Sequence, residues 1–303
     1  SGPGCPVCVT QVGFIDEAIY LALERQVTIC TFGDLVRVPG TNMSLAGARE
    51  KGAKIRIVYS PVDAKEYAKE HPKEQVAFLS VGFETTTPSA CLSVKKAREE
   101  GLTNYSILTA NKTMPQAYEA LKGSADIFLY PGHVNAITGT KLCEELAKEG
   151  VSGVVAGFTA KELLTALAVA LARFQEGRPF FVNCYPRVVT ENGSPQAQKL
   201  VEEMMEPCDS EWRGLGVIKG SGMRLQEEWS AFDARKKYKI PPIQGKANPA
   251  CRCGDVLQGK CKPSDCKVFG KVCTPQHPVG ACMVSGEGAC SAYYMYGEAE
   301  KMK

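Results

Sequence analysis

The sequence predicts an α/β protein: two Rossmann-like parallel-sheet units, the first truncated at its start, then a cysteine-rich region. Three observations carry that reading. Short β-branched runs alternate with amphipathic stretches over residues 73–183, the pattern of a parallel sheet covered by helices. A shorter copy of the pattern precedes it. Beyond residue 184 the periodicity fades, and seven of the fourteen cysteines fall between Cys251 and Cys290. The expected regions are therefore 1–72, 73–183 and 184–303.

In the first unit, strands are expected near Val27 to Thr31 and Ile55 to Tyr59, with a helix after Ser60-Pro61 and another over Ile15 to Arg25. In the second, strands are expected at Val76 to Val81, Ser106 to Leu108, Ile127 to Leu129 and Gly153 to Ala156. Thr87-Pro88 supplies a helix cap and a first-turn proline, and Thr159 with Glu162 forms a capping box. Gly101 and Gly150 stand where helices should stop. In the third region the sequence predicts helices over Ser194 to Met205 and Leu225 to Tyr238, with irregular glycine-rich chain through Gly214 to Gly222. After Pro241-Pro242 the chain reads as loop, with too little apolar surface to order itself, so a metal centre is the expected organiser.

Composition excludes several classes. Thirty-six basic and 33 acidic residues are mixed along the chain and leave a formal charge of +3, so no field favours nucleic acid or anionic lipid. No apolar run approaches the roughly 20 residues of a membrane-spanning helix, and no signal peptide is visible, so the cytoplasm is the expected compartment. The chain opens without Met, inside a motif at Gly2-Pro3-Gly4-Cys5, which predicts a missing N-terminal segment. Dense cysteine in a long chain with ordinary apolar content speaks for metal or redox chemistry rather than a disulfide framework.

The tail cysteines are irregularly spaced. Cys251 to Cys266 is 15 residues, Cys266 to Cys273 is 7, and Cys273 to Cys290 is 17. Structural zinc sites use paired knuckles or histidines, whereas an iron-sulfur cluster, larger than one ion, accepts thiolates from scattered loops. The spacing favours the cluster and leaves zinc as the alternative. Cys251, Cys266, Cys273 and Cys290 are the first-choice ligands, with Cys253 and Cys282 as substitutes. Cys5-Pro6-Val7-Cys8 has the separation of a redox dithiol, and its place before a helix should lower a thiol pKa. Half of a metal knuckle is its alternative. Cys30, Cys91, Cys143, Cys184 and Cys208 read as core residues.

Ligands of open α/β sheets bind at the carboxyl ends of strands. That rule selects the loops 82–88, 110–113, 131–134 and 157–159, which gather Glu84, threonine hydroxyls and His133. Thr87 and Thr159 also serve as caps. Glu84 follows an apolar strand and has no core role of its own. Neither a dinucleotide nor a P-loop fingerprint is present.

The segments GPGCPVCVT (2–10), TFGDLVRVPG (31–40), VGFETTTP (81–88) and YPGHVNAI (130–137), with the cysteine tail from CGDVLQG to GACMVSGEGACSAYYMYG (253–297), occur in one order along the chain. In these motifs the sequence resembles the HypD family of hydrogenase maturation factors from end to end. The resemblance implies two related α/β domains and a third carrying a 4Fe-4S cluster, with a redox relay like that of ferredoxin:thioredoxin reductase. It also implies two partners, HypC and HypE, and the role of holding a transient Fe(CN)2CO iron while cyanide, carried as thiocyanate on HypE, is delivered. Cys5 and Cys8 match the family's dithiol, and Glu84, Thr85, Thr86 and His133 would line the cleft between domains. The family's Cys-Gly-Thr-His stretch, thought to bind the iron, has no match here, so this chain alone is expected not to hold that unit.

Overall fold

The computed structural model describes residues 2–297; residues 1 and 298–303, the outer ends of the first and third expected regions, lie outside the described residues. Among the described residues nine strands form two sheets: β1 (Thr28–Thr31), β2 (Ile55–Ile57), β3 (Val76–Gly82), β4 (Tyr105–Lys112), β5 (Phe128–Pro131), β6 (Gly153–Ala156), β7 (Phe181–Asn183), β8 (Met205–Trp212) and β9 (Gly216–Leu225). The larger sheet has the order β2-β1-β3-β4-β9-β8 and the smaller β5-β6-β7.

Two sheets are present, but they share out the strands differently from the expected units. β1 and β2 pair in parallel with β3 and β4 in one sheet, across residue 72. The reason lies in burial. β3 and β4 are buried along their whole length, and a strand buried on both faces needs neighbours on both edges as well as cover on both faces. β8 and β9 close the sheet as an antiparallel hairpin, making it mixed. The smaller sheet is parallel throughout.

Local signals account for the helices. Ser60 and Asp63 form a capping box at the start of Pro61–Glu70, and Thr159 with Glu162 does the same for Ala160–Phe174. At Thr87–Glu99 the cap position is Thr86, one residue earlier than expected, with Pro88 in the first turn. Gly101 and Gly150 end their helices at φ 68° and 91°, where a Cβ would be strained.

Two stretches depart from expectation. Gly214 to Gly222, read as irregular chain, is the hairpin itself, with Gly214, Gly216 and Gly220 at φ 80°, 82° and 62° supplying its turn and irregularities. Leu225 to Tyr238 is not one helix. A 3-10 stretch Glu227–Phe232 gives way to the short helix Ala234–Lys237, because Asp233 stops the first and caps the second through the Arg235 N–H at 2.8 Å. From residue 239 onward the described chain carries only short helical pieces, Cys253–Leu257, Pro263–Asp265, Ala281–Met283 and Ala289–Tyr296. No helix among the described residues is long and apolar enough to cross a membrane.

Candidate functional site

Cys5 caps the one-turn helix Pro6–Val9, whose first residue is a proline, and the Cys8 N–H donates to Cys5 Sγ at 3.3 Å. The dithiol thus occupies its own turn, not the start of the longer helix Val12–Glu24. Both thiols are buried. Hydrogen bonding from the Cys8 thiol holds Cys5 below the ordinary thiol range against the effect of burial, with the Cys8 N–H and Ser285 adding to it. For Cys8, the Cys282 thiol favours the charged form, but the bond to Cys5 and burial outweigh it and leave the pKa raised. The pair is therefore asymmetric, with Cys5 the more readily ionised.

A line of thiol contacts runs from this pair into the tail. The Cys282 thiol, on the turn Ala281–Met283, meets Cys8 on one side and Cys253 on the other. Cys253, heading the helix Cys253–Leu257, meets Cys251 and Cys290. Cys273 lies alongside, accepting from the Val279 N–H at 3.3 Å and from the Gly280 N–H, within the electrostatic reach of Cys251 and Cys253. Cys266 stands at the edge of the group, its thiol donating to the carbonyl of Ala250 at 3.7 Å, one residue before Cys251. Of the first-choice ligands, Cys251, Cys273 and Cys290 surround Cys253. The central places of Cys253 and Cys282 were hidden from sequence reasoning, because 29 residues separate two thiols that the fold makes neighbours.

The donor set fits soft thiolate ligation. Gly280 leaves the room: a Cβ there would stand 2.5 Å from Cys251 Sγ and 2.6 Å from Cys253 Sγ. A cavity of about 200 Å³ is bounded by Cys251, Cys253 and the buried Arg213. Among the described residues no three His, Cys, Asp or Glu side chains converge on a point that would hold a single metal ion.

Three motifs meet through the β8–β9 turn. Trp212 bridges to Thr10, just after the dithiol, and stacks on Phe83 with ring centroids 5.9 Å apart. Lys112, fully buried at the end of β4, donates to Ser210 Oγ at 2.6 Å and the Glu211 carbonyl at 2.7 Å, with its ammonium 5.3 Å over the Trp212 ring; burial lowers its pKa to about 7. Gly214 packs backbone to backbone against Gly254 of the tail, where a Cβ built on Gly254 would lie 2.8 Å from the Gly214 Cα. Lys112 lies in the expected strand-end loop 110–113, but its contacts with the hairpin carry no sequence signal, and the lone Trp212 carries no motif.

The strand-end residues separate into two places. After β3, Gly82 must lack a Cβ because Thr86 Oγ1 occupies that space. Glu84 folds inward, its Oε1 accepting from the Met114 N–H at 2.9 Å while Oε2 is buried without a partner. The residue as a whole keeps partial exposure, but the carboxyl group is enclosed, and burial pushes its pKa up to about 7. Thr85 is exposed, and Thr86 is half-buried with its hydroxyl 3.4 Å from the Phe83 carbonyl. His133 is exposed and stacks on Phe158 at 4.0 Å. Among the described residues no hydrogen bond or ring contact joins His133 to Glu84, Thr85 or Thr86.

Residues 1–297 match the family described as "HypD: Hydrogenase formation hypA family". The chain is 41% identical to hydrogenase maturation factor HypD of Cupriavidus necator, over 98% of this chain and 82% of that protein. It is 43% identical to HypD of Rhizobium leguminosarum bv. viciae, over 98% of this chain and 80% of the relative, and 41% identical to HypD of Escherichia coli, over 99% and 82%. With the motif order, the thiol line and these similarities running the length of the molecule, the chain belongs to the HypD family.

Proposed function

We propose that this chain is a cytoplasmic scaffold and redox protein of [NiFe] hydrogenase maturation, which works with HypC and HypE to assemble the Fe(CN)2CO centre. Its fold on this reading comprises two Rossmann-like units and a tail domain holding a 4Fe-4S cluster. The observation that carries it is the line of thiols from Cys5 through Cys8, Cys282 and Cys253 to Cys251 and Cys290.

Cys251, Cys266, Cys273 and Cys290 would hold the cluster, which when bound supplies electrons one at a time. Cys253 and Cys282 fill the gap between those ligands and the dithiol. Cys5 and Cys8 exchange electrons in pairs: closing their disulfide releases two electrons and two protons, and reopening it takes the same. The lowered pKa of Cys5 makes it the thiol that reacts, with Cys8 as its resolving partner. Reductive release of cyanide from a carrier thiocyanate needs such a pair beside the iron cargo. Glu84, Thr85, Thr86 and His133 supply polar groups at strand ends on the same reading.

Anaerobic purification followed by iron and acid-labile sulfide analysis tests the proposal. Four irons and four sulfides are expected; zinc without sulfide overturns the cluster reading. Cys266→Ala or Cys273→Ala should abolish visible absorption, whereas Cys5→Ala should keep the colour and stop hydrogenase maturation in cells. A coloured Cys266→Ala protein would remove that residue from the ligand set.

A further inference from the structure

We propose that Arg213 is a fixed counter-charge for the cysteine tail, raising the reduction potential of the cluster bound there and locking the dithiol turn against it; this rests on the function proposed above. Arg213 directly follows β8 in the β8–β9 connection, and it is nine-tenths buried. Its backbone N–H donates to the Val9 carbonyl at 2.8 Å, its Nε to the Thr10 carbonyl at 2.7 Å and an Nη to the Pro39 carbonyl at 3.2 Å. Every one of these acceptors is neutral. Among the described residues no carboxylate forms an ion pair with Arg213. An enclosed guanidinium cannot shed its proton, and without an anion its charge is uncompensated at a real cost in free energy.

The anionic groups that can compensate it are sulfurs. Arg213 borders the 200 Å³ cavity together with Cys251 and Cys253, and it feels the thiols of Cys253, Cys251, Cys282 and Cys8. Of the other cations, the exposed Arg37 also donates to the tail, to the carbonyls of Pro275 and Val284, but it does not border the cavity. Arg252, next to Cys251, is paired with Asp255 at 2.9 Å, and Lys112 faces Ser210 and Gln11 instead.

The position is rigid on both sides. Trp212 is pinned by its indole N–H to Ser221 Oγ at 2.7 Å and by the Phe83 stack, and Gly214 is held by Gly254 and by the Gln258 side chain donating to its carbonyl at 2.8 Å. The guanidinium fork reaches separate carbonyls on the dithiol segment and the Pro39 loop while its charge faces the tail, geometry that a lysine reproduces only in charge. A thiolate-ligated cluster is negative and becomes more so on reduction, so a nearby fixed cation favours the reduced state. Arg213 is a positioning residue: it acts through the cluster and the dithiol turn and touches no substrate.

The test is an anaerobic redox titration of the full cluster-bearing chain, read by visible absorption, for wild type, Arg213→Gln and Arg213→Lys. Arg213→Gln should lower the equilibrium constant for one-electron reduction at least tenfold, equivalent to about 59 mV more negative. Arg213→Lys should recover most of that shift, although it loses the fork; a merely structural role would weaken both variants without separating them by charge. A Gln variant whose reduction constant stays within threefold of wild type overturns the inference alone. Should Arg213→Gln fail to load a cluster, the Lys variant decides: a potential near wild type supports the charge, and one moved tenfold negative overturns it. A wild-type chain without iron and sulfide overturns the proposed function and this inference with it.

Discussion

The larger sheet and the cysteine tail reach order by different routes. In the sheet, β3 and β4 are buried from end to end, and Phe78, Leu79, Ile107 and Leu108 are all but inaccessible. Apolar burial there contributes about 25 cal/mol per Å². The tail has helical pieces of three to eight residues, and among its described residues five of the ten buried hydrophobic side chains are cysteines. Val256, Leu257, Ala281, Met283 and Val284 supply its hydrocarbon, and thiols make up the other half of that buried set. A sheet buried from end to end should fail globally when a methylene group is lost, and a segment of short turns should fail locally when one contact is displaced.

The largest effect is expected where packing rules. Phe78→Ala removes a ring that meets Phe32 edge-on at 5.4 Å in the sheet core, and should cost about 3–5 kcal/mol in urea unfolding without altering how many tail thiols are titratable in the folded protein. A loss under 1 kcal/mol would mean the sheet does not depend on that packing.

Next comes Glu84, a charge-forming group in the packed region. Its folded pKa of about 7 lies above the ordinary value of 4.5, so burial favours the neutral carboxyl. The stability this contributes is full below pH 4.5 and is lost as pH rises through about 7, amounting to no more than about 3 kcal/mol. Unfolding free energies measured at pH 5 and pH 8 should show that decline in the wild type and a flatter profile in Glu84→Gln. Equal slopes would place the titration elsewhere.

A smaller and local effect is expected from Gly280→Ala. The new methyl meets Cys251 and Cys253 sulfurs, so limited proteolysis should open the tail after residue 239 while the main unfolding transition stays within about 1 kcal/mol. A matching loss in the sheets would erase the distinction between the regions. Arg98→Ala should change least. Its exposed bridge to Glu228 at 2.7 Å, with the guanidinium 4.5 Å over Trp229, is worth under about 1 kcal/mol and should weaken further in salt.

The same contrast explains what the sequence disclosed. β3 and β6 were legible almost to the residue, since a continuous apolar run bounded by turn signals has few other uses. β8 was not. Met205–Trp212 carries Glu206, Asp209, Ser210, Glu211 and a proline, and its partner strand is broken by glycines, so the alternation of buried and exposed residues that marks it as an edge hairpin emerges only in the fold. At the candidate site, the dithiol and the tail cysteines were visible as residue types. Their alignment through Cys282 and Cys253 was not, because it depends on tertiary contacts that bring Cys282 to Cys8, 274 residues away, and to Cys253, 29 away.

The touching backbones of Gly214 and Gly254 also impose a timetable. During synthesis the hairpin turn leaves the ribosome before the tail, so its half of the joint exists first and the tail closes onto a surface already made. A chain cut short before Gly254 would leave the Gly214 backbone of the hairpin turn without the partner that covers it.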